Sequence, residues 1–162
     1  GRPGRGGSIT VSGSAYTLTG RGNDFIHPGN NTVDAQFYAY REFTGDGTFT
    51  VRLDSLIGSN PGRTNPAGET PTAGLVLRES TAANARQVSL LVTLANQLEF
   101  RARATTGGGL LHVASSGSPL NSLGVASAPR WLRLIRSGNS LAAAHSADGV
   151  TWTTLPASVT VG

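Results

Sequence analysis

Gln97-Leu98-Glu99-Phe100-Arg101-Ala102-Arg103 is the stretch on which the fold turns. Leu98, Phe100 and Ala102 alternate with Glu99, Arg101 and Arg103, so an extended backbone sends the apolar set to one side and the charged set to the other. The pattern predicts a strand with one dry face and one wet face. Working outward from it, the same period-two alternation recurs along the chain, bounded by clusters of Gly, Pro, Asn and Ser. Nowhere do apolar residues hold helical spacing over three turns. The expected strands are Ser8–Ser12, Tyr16–Thr19, Ala35–Phe43, Thr48–Leu56, Ala73–Glu79, Gln87–Thr93, Gln97–Ala104, Trp131–Arg136, Ser140–Ser146, Thr151–Leu155 and Ser158–Val161. So many short strands and no helix predict an all-β chain, built as a two-sheet antiparallel β-sandwich.

Turn chemistry supports that reading. Asp148-Gly149 sits between two strand patterns, where a tight hairpin turn needs the positive φ that Asp and Gly tolerate. Gly138-Asn139 joins the preceding pair, so the last third of the chain is expected to be a meander. The run from Gly58 to Gly68 carries Pro61, Pro66 and no periodicity, and is expected to be a long exposed loop. Gly107-Gly108-Gly109 is a flexible turn and not a phosphate loop, because no helix follows it.

Composition narrows the function. The chain has 162 residues, 22 glycines, 8 prolines, and neither cysteine nor methionine. The length suits one domain, residues 1–162. A chain without methionine is expected to be a processed form or a piece of a longer protein. Without cysteine, disulfides, thiolate metal sites and cysteine nucleophiles are impossible. No apolar run approaches the ~20 residues that cross a bilayer, so membrane insertion is not expected. All 13 basic side chains are arginine, against 9 acids, and they are scattered along the strands. A nucleic-acid binder concentrates such charge in a stripe with interleaved aromatics, so no nucleic-acid partner is expected.

Several segments together resemble a known family. They are Gly45-Asp46-Gly47-Thr48-Phe49-Thr50-Val51-Arg52-Leu53, Ala73 to Ser80 (AGLVLRES), Trp131 to Asn139 (WLRLIRSGN), and Ser146-Ala147-Asp148-Gly149-Val150-Thr151-Trp152. Their order and spacing resemble the concanavalin A-like (laminin G-like) lectin/glucanase β-sandwich modules of secreted and surface-anchored bacterial proteins. The resemblance implies a jelly-roll fold and a non-catalytic carbohydrate-binding or adhesion role, secreted or at the cell surface, with glycans or cell-surface polysaccharide as partners. Two departures stand out. Asp24-Phe25-Ile26-His27 lacks the tryptophan common in the family there, and the family's last long strand has no counterpart after Val161-Gly162. Either that strand is cut off, or a neighbouring copy supplies it by donating the Ser8–Ser12 strand. The second account makes the chain a self-assembling subunit of an extracellular filament or surface coat.

The Ser146–Trp152 segment also resembles the Asp-box hairpin of sialidase propellers, one residue short. Its expected role is structural, with Asp148 bonding turn amides and Trp152 packing on the hairpin.

No catalytic residue is expected. Glycoside hydrolysis needs two carboxylates across a cleft, and the glucanases of this fold carry a Glu-x-Asp-x-x-Glu strand that is absent here. Glu99 is flanked by Arg101 and reads as a salt bridge. His27, His112 and His145 lie in no nucleophile-elbow context. No cofactor is expected. Calcium is the one ion considered, with Asp24, Asp34, Asp46 and Asp54 as oxygen donors, although they form no known calcium loop. For sugar contact the candidates are Tyr38 and Tyr40, one face of the Ala35–Phe43 strand, with Arg101 and Arg103 on one face of theirs. Aromatic rings stack on pyranoses and guanidinium groups donate to vicinal hydroxyls. The rival expectation makes the tyrosines core and pairs the arginines with Glu99 and Glu79.

Overall fold

A computed structural model describes residues 6–20, 32, 34, 36–58, 71–94, 96–113 and 128–161. They are all-β and antiparallel. The strands are β1 (Gly7–Ser12), β2 (Ala15–Gly20), β3 (Gly47–Leu53), β4 (Thr72–Arg78), β5 (Gln87–Thr93), β6 (Leu98–Arg103), β7 (Leu111–His112), β8 (Arg130–Ser137), β9 (Ser140–Ser146) and β10 (Thr153–Thr160). They form two four-stranded sheets, ordered β10-β9-β8-β3 and β4-β5-β6-β7, and a separate two-stranded sheet, β1-β2. Neither four-stranded sheet closes into a barrel. Among the described residues, no helix is long and apolar enough to cross a membrane.

Alternation within the strands builds one core. Val88, Leu90 and Val92 of β5 and Leu98, Phe100 and Ala102 of β6 meet Leu132 and Leu134 of β8, Leu141 and Ala143 of β9, and Leu155 and Val159 of β10. Leu134 and Phe100 are fully buried. Both four-stranded sheets therefore contribute to one apolar cluster, and burial of each such side chain is worth roughly 1.5–3 kcal/mol before entropy is counted. This core forms from the chain's own strands. The two expected strands at the C-terminal end are one, β10, with a register shift between Thr154 and Ser158. Pro156 lies inside the shift and has no amide to donate, which an edge strand such as β10 accommodates.

One expectation needs correction. Residues 36–44 form no strand, because their polar and aromatic groups go to separate tertiary contacts. The Asp34 amide bonds Ala83 O at 2.8 Å, the Tyr38 hydroxyl reaches Thr81 O at 3.5 Å, and Phe43 packs on Phe49 with ring centroids 4.3 Å apart. The expected Ser8–Ser12 strand is present as β1 and pairs with β2 from Gly7↔Gly20 to Ser12↔Ala15. The expected Gly58–Gly68 loop lies almost wholly outside the described residues, as do Asp24 and His27.

Candidate functional site

The face of the β4-β5-β6-β7 sheet turned away from the shared core carries polar side chains in register. One row is Arg78, Gln87 and Arg103; the next is Val76, Ser89, Arg101 and His112; the third is Gly74, Leu91 and Glu99. On β5 and β6 this face is as buried as the core face. A buried polar surface must be hydrogen-bonded or electrostatically balanced.

The first row is saturated. Arg103 Nη2 and Nη1 donate to Asp34 Oδ1 and Oδ2 at 2.7 and 2.9 Å, and its Nε donates to Gly108 O at 2.8 Å. Arg103 Nη1 also reaches the carbonyls of Ala83 and Ala85 at 3.3 and 3.2 Å. Arg78 Nη1 donates to Asp34 Oδ2 at 2.6 Å and to Gln87 Oε1, while its Nη2 and Nε bind the carbonyls of Ala82 and Ser80. Two guanidinium groups thus share one carboxylate, and five loop carbonyls and the Tyr38 ring, 5.5 Å from Arg78 Cζ, take up the remaining donor capacity and charge. The cluster staples the 80–86 and 105–108 loops to the sheet. Arg103 therefore serves the fold and has no face to offer a ligand.

The second and third rows differ. Arg101 Nε lies 3.1 Å from Glu99 Oε2, an ion pair with both side chains nearly out of solvent. Ser89 Oγ, opposite Arg101, is buried without a hydrogen-bond partner. Burial raises the Glu99 carboxyl above its ordinary range, against the opposing pull of Arg101. His112 faces Arg101 across the β6-β7 pair and is pushed down by burial and then by that guanidinium. It is exposed, as is Leu111 beside it, on β7, the last strand of this sheet among the described residues. Chemically, the cluster offers a carboxylate acceptor and a hydroxyl within one charge-compensated patch.

The four residues expected to line one groove are divided. Tyr38 and Tyr40 lie outside any strand, rings tilted at 57° with centroids 5.9 Å apart; Tyr38 is half-buried against Arg78 and Tyr40 is exposed. Arg101 and Arg103 do share a face of β6, as alternation required, yet both are buried, which corrects the expectation of an exposed row. The expected pairing of Arg101 with Glu99 is present, whereas Glu79 pairs with Arg86 at 2.8 Å and not with a β6 arginine. Sequence reading missed Ser89 as a site residue and Asp34 as the centre of the clamp. Ser89 was legible as a polar residue on the same side of β5 as Gln87 and Thr93, while nothing local ties Asp34 to β6.

The aspartates considered for calcium have other occupations. Asp34 is clamped, Asp46 accepts from the Gly138 amide at 2.6 Å, and Asp54 pairs with Arg52 at the surface. No group of three potential ligands that could hold a metal occurs among the described residues. The Ser146–Trp152 hairpin behaves as a fold element. Asp148 Oδ1 accepts from the Val150 and Thr151 amides, both at 2.8 Å, and Trp152 Nε1 donates to Gly149 O at 3.2 Å. Those amides hold the Asp148 carboxyl far below its ordinary value. Arg133 Cζ stacks 3.5 Å from the Trp152 ring centroid.

Compared with protein-family models, with curated proteins and with solved structures, the chain matches none of them significantly.

Proposed function

We propose that this chain is a non-catalytic, extracellular or cell-surface carbohydrate-binding or adhesion module on a concanavalin A-like jelly-roll sandwich, and that Ser89, Glu99 and Arg101 form its sugar-binding cluster. The observation that carries the reading is the buried Ser89 Oγ, which has no hydrogen-bond partner, beside the Glu99–Arg101 ion pair. Leaving such a hydroxyl unmatched costs about 1–3 kcal/mol. A hydroxyl-bearing ligand answers it: one hydroxyl exchanges a hydrogen bond with the serine, and a neighbouring one donates to the Glu99 carboxylate. The polar register and the four sequence segments that resemble the family support the same assignment. A non-catalytic role fits the state of the two buried acids, since Asp34 is engaged by two arginines and Glu99 by one, leaving neither as half of a carboxylate pair.

Calorimetric titration with neutral oligosaccharides drawn from a glycan array tests this. A hit is expected to weaken at least about tenfold in Ser89→Ala and Glu99→Gln, one lost hydrogen bond being worth about that factor, while Glu79→Gln binds as wild type. Binding indifferent to both site variants, an array without hits, or release of reducing ends would each overturn the proposal.

A further inference from the structure

The β10-β9-β8-β3 sheet turns a polar face away from the shared core. Register sets Thr50, Arg133, Ala144 and Thr154 in one row across its four strands, and Thr48, Ile135, Ala142 and Ser158 in the next. Thr48, Thr50, Thr154 and Ser158 are exposed, so the face is open to solvent along both outer strands. Between them β9 contributes only the small side chains of Ala142 and Ala144. Trp152, which directly precedes β10, can therefore reach across β9, and its ring centroid lies 3.5 Å from Arg133 Cζ.

The half-buried Arg133 guanidinium carries an unmatched charge. Its Nε donates to Thr50 Oγ1 at 3.2 Å, and among the described residues no carboxylate and no further hydrogen bond engages it. Arg52, Arg78, Arg86, Arg101 and Arg103 each face a carboxylate. Stacking on Trp152 occupies a face of the guanidinium plane and leaves its edge, with both Nη groups, to a ligand. The ring and Thr50 hold the side chain in place, so little freedom is lost when that edge is used. A planar edge with two donors matches the two oxygens of a carboxylate.

We propose that this face binds an anionic polysaccharide through its uronate units, with a sugar carboxylate on Arg133 Nη1 and Nη2 and sugar hydroxyls on the flanking threonines. The unmatched cation selects an anion, and the chain's net charge of +4 draws a polyanion toward it. Threonine and serine hydroxyls both donate and accept, which matches sugar hydroxyls, whereas an acidic peptide brings carboxylates without them. The row from Thr50 to Thr154 spans three inter-strand spacings, about 14 Å, so the ligand extends past a single sugar ring. The face belongs to the opposite sheet from Ser89, Glu99 and Arg101, and its assignment does not rest on theirs.

Calorimetric titration of the full chain with a galacturonate hexamer at fixed ionic strength reads the outcome. Binding is expected, weakened at least about tenfold in Arg133→Gln and also in Arg133→Lys, which keeps the charge and loses the fork. Arg136→Gln removes the same charge from the other side of β8 and is expected to change affinity less than about twofold. Thr154→Glu, at an exposed position that leaves the Arg133–Trp152 stack untouched, is expected to weaken binding by repulsion, and near-ultraviolet circular dichroism checks that each variant keeps its fold. No binding by wild type would overturn the proposal, as would Arg133→Lys binding like wild type or Arg136→Gln losing as much as Arg133→Gln. Tighter binding of a glutamate hexamer or a sulfated hexasaccharide through Arg133 would assign the face to an acidic peptide or a sulfate and overturn the uronate. Ser89→Ala is expected to leave hexamer affinity unchanged; loss there with none in Arg133→Gln would overturn this site and leave the Ser89 cluster standing.

Discussion

Asp34 and Arg103 meet in a two-point ion pair across 69 positions of sequence, with Nη2–Oδ1 at 2.7 Å and Nη1–Oδ2 at 2.9 Å. Arg103 is fully buried and Asp34 nearly so, and Arg78 shares the same carboxylate. The pair ties the segment before β3 to the far side of the second sheet.

Removing that carboxylate leaves two buried guanidinium groups without a counter-charge. Asp34→Ala is expected to cost about 3–5 kcal/mol, whereas Glu79→Ala, which breaks the more exposed pair with Arg86, is expected to leave the unfolding midpoint almost unchanged. Urea unfolding midpoints of the two variants against wild type check the contrast.

The Asp148 turn is held by side-chain acceptors and by a glycine at φ 79°. A Cβ at Gly149 would lie 2.8 Å from Trp131 Cε2, so Gly149→Ala meets both backbone strain and a ring. A loss of about 1–3 kcal/mol and a change in tryptophan emission are expected, and a thermal melt followed by fluorescence reads both. Asp148→Ala unpairs the Val150 and Thr151 amides, which are solvated at the surface, and is expected to lower the melting temperature less than Gly149→Ala does.

His145 is pushed below its ordinary value by burial and then by Arg130. A base lowered in the folded state binds fewer protons there than in the unfolded chain, so its contribution to stability is present above the unfolded value of about 6.5 and is lost as pH falls through the folded one. Unfolding free energy is therefore expected to fall as pH drops below about 6.5, with a shallower slope in His145→Gln. Equal slopes in the two proteins would contradict it.

Phe100 and Leu134 are contributed to the core by different sheets. Phe100→Ala is expected to cost about 3–5 kcal/mol and Leu134→Ala about 2–5 kcal/mol, measured by urea unfolding.

Fold class was legible in single segments such as Leu98–Arg103 and Ser140–Ser146, because a residue's side of a strand depends only on the parity of its position. Parity also placed Arg101 and Arg103 on a common face, and the Asp148-Gly149 turn followed from which residues tolerate positive φ. Parity does not say what covers a face. The charged side of β6 reads as wet in sequence, yet Asp34 and loop carbonyls reach it from distant positions and make Arg103 a buried staple. Residues 36–44 likewise read as a strand, yet Phe37 packs against the β1-β2 hairpin, Tyr38 reaches Thr81 and Phe43 packs on Phe49. Local alternation determined the strands and their two faces; which face stayed in water was decided by contacts between residues far apart in the chain, whose geometry no local pattern encodes.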